Sequence, residues 1–261
     1  MNAFWLPAFT LWWREIIRFY RDRSRVIGSL APPVLFWVMI GFGLGGSFQS
    51  PGASKVGYLR FLFSGTAVLI VLFTAIFSTI SIIEDRREGF MQSVLVAPVS
   101  RGAIVLGKIL GGSSVALLQG LIFVLLAPVA GIPIGVVQGV ALVGVMFGIA
   151  FALTGLGFLI AWRMQSTQGF HGIMNLFLMP MWLLSGSLFP LSGAASWLKW
   201  IMVVNPLTYG VSAFQRVLLG DAYPAQVASL PLCLAVIILF GLAMFVLSWT
   251  AALRRKRTDA V

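Results

Sequence analysis

Six apolar stretches, each long enough to cross a lipid bilayer, constrain the fold of this chain more than any other feature. The hydrocarbon of a bilayer is about 30 Å thick, so a spanning helix needs about 20 apolar residues. The stretches are continuous rather than alternating, which disfavours a transmembrane β-barrel. The sequence therefore predicts an all-α polytopic membrane protein, with spans at about 26–48, 60–83, 103–130, 134–162, 170–190 and 230–253.

The composition agrees with lipid as the solvent and argues against several kinds of site. Of the 261 residues, 59% are hydrophobic and 10% are charged, whereas soluble domains are about a quarter charged. The single cysteine, Cys233, and the single histidine, His171, are too few for an internal disulfide or a metal cluster. The carboxylates of this sequence are not arranged as a pair that would indicate acid–base catalysis. We therefore expect neither an enzyme nor a metalloprotein.

The lysines and arginines predict the orientation of the chain and explain its net charge of +11. With a cytoplasmic N-terminus and six spans, four cations fall outside: Lys55, Arg60, Lys199 and Arg216. Fourteen fall inside: Arg14, Arg18, Arg21, Arg23, Arg25, Arg86, Arg87, Arg101, Lys108, Arg163, Arg254, Arg255, Lys256 and Arg257. This bias follows the positive-inside rule. We therefore expect both termini in the cytoplasm, and a positive charge that faces membrane lipids rather than a nucleic acid.

Residues 3–24 are too charged to span a membrane and have the pattern of an amphipathic helix. Apolar side chains recur at helical spacing at Trp5, Phe9, Trp12, Trp13, Ile16 and Phe19. Arg14, Arg18 and Arg21 lie on the other side. Because aromatic residues favour the headgroup region and arginines favour anionic lipid, this helix is predicted to lie in the membrane interface.

The segment EDRREGFMQSVLVAPVSRG, which begins at Glu84, predicts a short cytoplasmic helix over 84–97. Its acidic residues suit a helix N-terminus, Pro98 ends the helix, and Ser100 is placed to cap the next one. An apolar stripe runs along it at Phe90, Met91, Val94 and Leu95. A docking surface for a cytoplasmic partner is one interpretation, and a solvated loop against the membrane is the other.

The stretch RGAIVLGKIL, residues 101–110, has only part of the pattern of a phosphate-binding loop. Such a loop needs Ser or Thr after its lysine to hold Mg²⁺, but Ile109 follows Lys108 and the chain continues as an apolar span. We therefore expect no nucleotide on this chain. Lys108 is predicted to reach the membrane interface at the cytoplasmic end of the third span.

Residues 191–229 are apolar but are interrupted at Asn205-Pro206, and each part is too short to span. A seventh span here would place the basic sequence RRKR, residues 254–257, outside the cell, against the charge rule. Two short helices are therefore predicted, on or dipping into the outer leaflet, where they would cover the outer end of a pathway.

The acidic residues bear on whether a polytopic membrane protein with these spans is a carrier driven by an ion gradient. Carriers coupled to protons or sodium usually have acidic side chains within their spans, but none of the seven here falls at the centre of a span. Backbone carbonyls can also bind sodium, so a gradient-driven carrier stays one alternative and a non-transporting scaffold another. His171 and Asn175 share one face of the fifth span, where packing and lining a pathway are both open.

Two stretches resemble a known family. EDRREGFMQSVLVAPVSRGAIVLGKIL, from Glu84, is similar to the cytoplasmic signature of ABC-2 type exporter permeases. LFLMPMWLLSGSLFPL and WLKWIMVVNPLTYGVSAFQRVLLG resemble the second hallmark of that family. The six-span layout with a leading amphipathic helix also fits, so the resemblance extends over a single domain, residues 1–261. Phe90 stands where threonine is more usual, which should alter local packing rather than role.

The resemblance implies an exporter subunit without catalytic residues. Two permease chains, as a homodimer or as a pair of homologous chains, would form the pathway in a bacterial inner membrane. Two copies of a separate cytoplasmic ATPase would bind ATP and Mg²⁺, and this chain would bind no cofactor. Residues 3–24 would be the connecting helix, 84–97 the coupling helix and 191–219 the extracellular re-entrant helices. The implied docking residues are Glu84, Asp85, Arg86, Arg87, Glu88, Gly89, Phe90 and Pro98, and the implied extracellular gate is Asn205 with Pro206.

The fifth span bears on the class of substrate. Its methionines and aromatic side chains suit an amphipathic or hydrophobic substrate, such as a drug, an antibiotic or a lipid-linked glycan. The candidate pathway residues are His171, Asn175, Met179 and Trp182. Lipid-facing or packing roles for the same side chains are the alternative.

Overall fold

The computed structural model describes residues 2–43, 57–220 and 227–254, and these ranges contain helices and connecting turns but no β-strand. The α-helices are α1 Asn2–Arg21, α2 Arg23–Gly43, α3 Tyr58–Ser78, α4 Ile80–Arg87, α5 Phe90–Val96, α6 Arg101–Val124, α7 Val136–Ala161, α8 Thr167–Trp182, α9 Ser196–Val204, α10 Pro206–Leu219 and α11 Leu230–Arg254. Several residues used to predict the orientation lie outside the described ranges: Lys55, Arg255, Lys256 and Arg257. So do residues 44–48 of the first predicted span and residues 221–226.

Within the described ranges, five helices are long and apolar enough to cross a membrane, which confirms an all-α polytopic fold. They are Val26–Gly43, Tyr58–Arg87, Arg101–Val124, Val136–Ala161 and Leu230–Arg254. The segment predicted as the fifth span, 170–190, has a different form. It contains α8, of 16 residues, followed by the irregular π turn Leu183–Ser187.

The helix formed by α3 and α4 is the central element of the bundle. The two run together over Tyr58–Arg87, 30 residues, and pack against α2, α6, α7 and α10. Because neighbours cover it on several sides, apolar residues occur around the whole of α3 rather than along one stripe. At about 1.5 Å per residue this helix is about 45 Å long. It is therefore longer than the hydrocarbon of a bilayer is thick.

Two glycines of α6 let α1 approach closely. A Cβ atom added at Gly107 would lie 2.6 Å from the carbonyl oxygen of Ala8, and one added at Gly111 would lie 2.6 Å from Cβ of Glu15. Real Cβ atoms do not approach other atoms this closely, so only glycine fits at either position while the helices stay in place. The docking of α1 on the bundle therefore depends on these two residues.

The structure divides the segment predicted as one helix over 84–97 into two. Glu84 to Arg87 form the last turn of α4, and α5 begins at Phe90. Between them, Gly89 has a φ of 78°, in the left-handed region that glycine adopts without strain. The chain therefore turns sharply at this residue. The predicted apolar stripe of α5 does face the protein, since Met91 is buried and its neighbours pack on the core.

The two short helices predicted on either side of Asn205 are α9 and α10. Asn205 caps α10, because its Oδ1 accepts a hydrogen bond from the backbone N–H of Leu207 at 3.0 Å. Pro206 occupies the first turn, where its missing N–H costs nothing. The amide Nδ2 of Asn205 also donates to the carbonyl oxygen of Met181 at 2.6 Å, which ties α10 to the end of α8.

Asn205→Ala is expected to lower the free energy of unfolding by about 1–3 kcal/mol, since it removes a helix cap and a side-chain hydrogen bond together. The melting temperature of the purified protein in detergent would measure the loss. Gln165→Ala, which truncates an exposed side-chain amide in the turn before α8, is the matched control and is expected to melt as the wild type does. Equal losses for the two variants would contradict the structural role of Asn205.

Candidate functional site

Charged side chains from α1, α4 and α6 meet inside the protein at one end of the bundle. We call this set the ion-pair cluster: Arg14, Glu15, Arg18, Glu84, Asp85 and Lys108. The side chains of Asp85, Lys108 and Glu15 are 0%, 1% and 7% exposed. The three cations and three carboxylates of the cluster balance, as burial of charge requires.

Asp85 is the centre of the ion-pair cluster. Arg14 binds it in a bidentate manner, Nη2 donating to Oδ1 at 2.6 Å and Nη1 to Oδ2 at 2.8 Å. Arg18 Nη1 donates to Oδ1 at 2.7 Å, and Lys108 Nζ donates to Oδ2. The hydrogen bonds to Asp85 raise the pKa of the Arg14 guanidinium above its ordinary value. Charged pairs with this geometry are among the stronger hydrogen bonds in proteins.

Lys108 is buried inside the protein and pairs with carboxylates, whereas the sequence predicted that its side chain would extend out to the membrane interface. Its ammonium group donates to Glu15 Oε1 at 2.6 Å and to Ser81 Oγ at 3.3 Å, in addition to Asp85. Removing an ammonium from water is offset only when carboxylates pair with it closely. Glu15 and Asp85 supply those partners from α1 and α4, so the lysine can stay buried.

The buried face of α1 explains how Glu15 reaches the cluster. Ala8, Leu11, Glu15 and Phe19 are all buried and recur at helical spacing. Of the predicted apolar stripe, Phe19 lies on this inner face, whereas Trp5, Phe9 and Trp13 are exposed on the opposite side. Arg14 and Arg18, which the sequence predicted to face lipid, bind Asp85 instead. Helix α1 therefore has an inner side whose charged residues form ion pairs with α4 and α6, and an outer face that is aromatic.

Phe90 extends the ion-pair cluster to α5. The guanidinium carbon of Arg14 lies 3.8 Å from the centroid of the Phe90 ring, a cation–π contact. The residue that departs from the usual family pattern therefore packs on the arginine that holds Asp85. This contact joins the first residue of α5 to α1.

Arg86 fixes the opposite side of α4. Its Nη2 donates to the carbonyl oxygen of Trp162 at 2.8 Å, and its Nη1 donates to that of Met164 at 3.0 Å. These carbonyls follow the end of α7, where a cation is favoured by the helix dipole. Two consecutive residues of α4 thus bind different neighbours: Asp85 binds α1 and α6, and Arg86 binds the end of α7.

The candidate pathway residues of the fifth span separate into two groups. His171, Asn175 and Met179 are exposed on α8, four residues apart, and the His171 ring lies against Phe77 at 4.9 Å. Trp182 is buried, and its indole N–H donates to the carbonyl oxygen of Gly65 at 2.9 Å. Three of the four residues could line a pathway outside this chain, whereas Trp182 packs within it.

Helix α10 holds the irregular end of α8. Besides the bond from Asn205, Thr208 Oγ1 donates to the carbonyl oxygen of Leu184 at 3.4 Å, and Gln215 Nε2 to that of Gly186 at 3.3 Å. A π turn leaves carbonyl groups without their usual helical partners. The side chains of α10 satisfy them, so α10 and the end of α8 form one connected unit.

Comparison with known proteins identifies the family. The family described as ABC-2 type transporter matches residues 8–219, which is more than half of the chain. The chain belongs to the ABC-2 transporter family. Within the described ranges of this ABC-2 permease, no three His, Cys, Asp or Glu side chains are grouped to hold a metal ion.

Relatives of this ABC-2 permease are similar over most of its length. The inner membrane transport permease YadH of Escherichia coli (strain K12) is 24% identical, over 98% of both chains. Nodulation protein J of Rhizobium leguminosarum bv. viciae is 25% identical, over 97% of this chain and 93% of its own. Nodulation protein J of Sinorhizobium fredii (strain NBRC 101917 / NGR234) is 26% identical, over 83% and 80%. The chain is a multi-pass membrane protein of the transport permease type.

The eight residues that the resemblance implied for docking lie in different environments in this ABC-2 permease. Arg87, Glu88 and Pro98 are exposed. Asp85 is buried, and Glu84, Arg86 and Phe90 are partly buried in contacts with other helices. Gly89 forms the turn. Val96 is 87% exposed on α5 and was not among the residues predicted from the sequence. The signal for its exposure was its position outside the apolar stripe of α5, which faces inward.

Proposed function

We propose that this permease is the transmembrane subunit of an ATP-driven exporter in a bacterial inner membrane. A separate cytoplasmic ATPase would bind ATP and Mg²⁺ and would contact the permease at α4 and α5. Two permease chains and two ATPase subunits would form the transporter, with both termini of the permease in the cytoplasm. The permease itself performs no chemistry. It shifts between inward-facing and outward-facing states, and the nucleotide bound to the ATPase determines which of the two is favoured.

The observation that carries this proposal is the position of Asp85. This residue lies on the helix that continues the central α3, and it binds side chains of both α1 and α6. Its neighbour Arg86 binds the end of α7. A displacement of the tip of α4 is therefore transmitted to four helices at once. Charged hydrogen bonds in a buried site are strong, so we expect this end of the bundle to move as one body.

The surface that an ATPase would contact is the exposed part of the α4–α5 turn. Arg87 and Glu88 project from it with opposite charges, and Val96 adds an exposed apolar side chain on α5. Charges at the rim of an interface favour a specific partner and orientation, whereas exposed apolar side chains contribute binding energy when the partner buries them. The buried Asp85 would then position this surface rather than contact the partner.

The exposed face of α8 would line the pathway and meet the second permease chain. His171, Asn175 and Met179 lie on it, together with the exposed apolar residues Leu176 and Phe177. This mixture of one amide, one imidazole and adaptable apolar groups suits an amphipathic or lipid-linked substrate. Two chains paired through this face would enclose a path between them.

The double variant Arg87→Glu, Glu88→Lys tests the docking surface. We expect it to reduce co-purification of the ATPase subunit at least about tenfold, because it reverses both rim charges. It also removes the ion pair of Glu88 with Arg18 at 3.8 Å, but Glu88 is 62% exposed and such a pair contributes little to stability. Its melting temperature should stay within about 2 °C of the wild type, as for most exposed substitutions. Pull-down from mild detergent with quantification of the bound ATPase would measure the first effect, and thermal unfolding the second.

Lys199→Glu, at an exposed position on α9, is the control for a change of surface charge and should leave ATPase binding unchanged. Normal ATPase binding and transport by the double variant would contradict the docking assignment. Transport that continues after ATP depletion but stops with a protonophore would contradict the ATP-driven function itself.

A further inference from the structure

Gln138, in the first turn of α7, holds the end of α10. Its amide Nε2 donates to the carbonyl oxygens of Val217 at 2.7 Å and Leu218 at 2.9 Å. Both carbonyls belong to the last turn of α10, where a helix leaves its carbonyl groups without backbone partners. The Oε1 atom of Gln138 accepts from the backbone N–H of Gly135 at 3.3 Å, which caps α7 itself. One side chain therefore satisfies the start of one helix and the end of another.

Helix α10 runs antiparallel to α7, along the half of α7 that is farther from α4. Its last turn meets Gln138, whereas Gly210, near its middle, lies against Ile149: a Cβ atom added at Gly210 would be 3.0 Å from Cγ1 of Ile149. Leu207, at the beginning of α10, lines the same narrow apolar gap as Leu153. Apolar packing of this kind is non-directional and permits sliding. The hydrogen bonds of Gln138 are directional, so they fix α10 lengthwise on α7.

The opposite end of α7 is held by α4. Arg86 donates to the carbonyl oxygens of Trp162 and Met164, and its guanidinium carbon lies 5.3 Å from the centroid of the Trp162 ring. Between its two attachments α7 is one continuous helix without proline. Its 26 residues make it about 39 Å long. A continuous helix packed among neighbours carries a displacement from one end to the other, so a movement of α4 reaches Gln138.

We infer that Gln138 is a positioning residue, which makes α10, and with it the π turn Leu183–Ser187, follow the movement of α7. Helix α10 completes the connection, because its Asn205 and Gln215 donate to carbonyl oxygens at that end of α8. The turn between α4 and α5 is thereby linked to the far end of α8. The role of this link in transport rests on the proposed function, whereas the link itself is a property of the permease alone.

Hydrogen–deuterium exchange of the purified permease, measured by mass spectrometry, tests the contact between α7 and α10. Gln138→Glu keeps the acceptor for the N–H of Gly135 but has no N–H to donate to α10. We expect amides in the last turn of α10 and in the π turn to exchange about fivefold faster, as for the net loss of one hydrogen bond. Peptides of α6 are the internal reference and should exchange as in the wild type.

Gln138→Lys is the matched variant, because it has the opposite defect. It keeps a donor for the end of α10, where the helix dipole favours a cation, but it loses the acceptor for Gly135. Exchange of α10 and of the π turn should stay within about twofold of the wild type, because the donor is retained. Equal acceleration in the two variants would attribute the effect to the cap of α7 and would overturn the inference. Wild-type exchange in Gln138→Glu would also overturn it.

Arg86→Gln tests transmission along α7, since it weakens the attachment at the opposite end and leaves Asp85 in place. We expect it to accelerate exchange of α10 about twofold in the wild-type background and by clearly less together with Gln138→Glu, because the link is then already broken. Equal factors in the two backgrounds, or no change of α10 in Arg86→Gln, would overturn the inference.

The melting temperature verifies that each variant is folded. If Arg86→Gln is not, Arg86→Lys, which keeps the charge with a different donor geometry, replaces it in the same cycle. The exchange measurements need neither an ATPase nor a substrate. A permease without an ATPase partner would therefore contradict the proposed function, while the exchange of α10 would still decide the role of Gln138.

Discussion

Asp85→Asn is expected to destabilise the permease by about 3–5 kcal/mol, because it leaves buried cations without the carboxylate that compensates them. The side chain is fully buried and accepts hydrogen bonds from Arg14, Arg18 and Lys108. An asparagine has the same shape but lacks the negative charge, so Lys108 would keep only Glu15 as a charged partner. The melting temperature of the purified protein should fall by roughly 10 °C.

Two further experiments test whether burial and pairing of Asp85 cause this loss. One changes an exposed carboxylate as a control, and the other is a double-mutant cycle. Glu88→Gln removes the charge of a side chain that is 62% exposed and should change the melting temperature by less than about 2 °C. Asp85→Asn combined with Lys108→Met should lose clearly less than the sum of the single losses, because the two residues compensate each other. Strict additivity, or a loss as small as that of Glu88→Gln, would contradict the central role of Asp85.

Gly107→Ala is expected to displace α1 from α6 and to lower the free energy of unfolding by about 1–3 kcal/mol. The added methyl group would meet the carbonyl oxygen of Ala8 at 2.6 Å and Cβ of Leu11 at 2.9 Å. These are backbone and Cβ atoms, which cannot rotate away as the end of a long side chain can. Any shift of α1 also lengthens the hydrogen bond between Glu15 and Lys108, so the change is felt in the ion-pair cluster. Thermal unfolding measures the effect.

Gly144→Ala is the control for a glycine-to-alanine change within a membrane helix. Apart from its chain neighbours and the backbone of its own helix, no atom lies within 4 Å of a Cβ built at Gly144, so the methyl group has open space. We expect a melting temperature equal to or slightly above that of the wild type, because alanine is the better helix former. If Gly107→Ala melts as this control does, α1 is not held by the close approach that the structure shows.

The membrane helices could be predicted from the sequence because apolar length is a local property. Five of the six predicted spans are helices of membrane length, and the apolar stripe of α5 with the cap at Ser100 was also predictable. The irregular end of the fifth segment was not predictable, because Leu184 and Gly186 depart from helical geometry. The side chains that stabilise this π turn come from α10, about 25 residues later in the chain. Hydropathy contains no information about such contacts.

The ion-pair cluster could not be predicted for a related reason. Glu15 and Lys108 are 93 positions apart, and each is a charged residue within a helix that is mostly apolar. In isolation such a residue predicts exposure at the interface, which is the environment we expected for Lys108. One signal was available. Glu15 occupies a position in the same helical stripe as Ala8, Leu11 and Phe19, and an acid within a buried stripe implies a cationic partner.

The three helices that share the ion-pair cluster leave the ribosome at different times, and this has a consequence for biogenesis. Glu15 and Asp85 are synthesised before Lys108, so their compensation is complete only after α6 has inserted. Lys108 lies near the start of α6, and it can reach the two carboxylates only if that end faces the side where α1 lies. An inverted α6 would leave the carboxylates short of one cation and the lysine stranded at the far side of the bilayer. The cluster therefore favours one insertion topology of α6 over the inverted one, in addition to stabilising the finished fold.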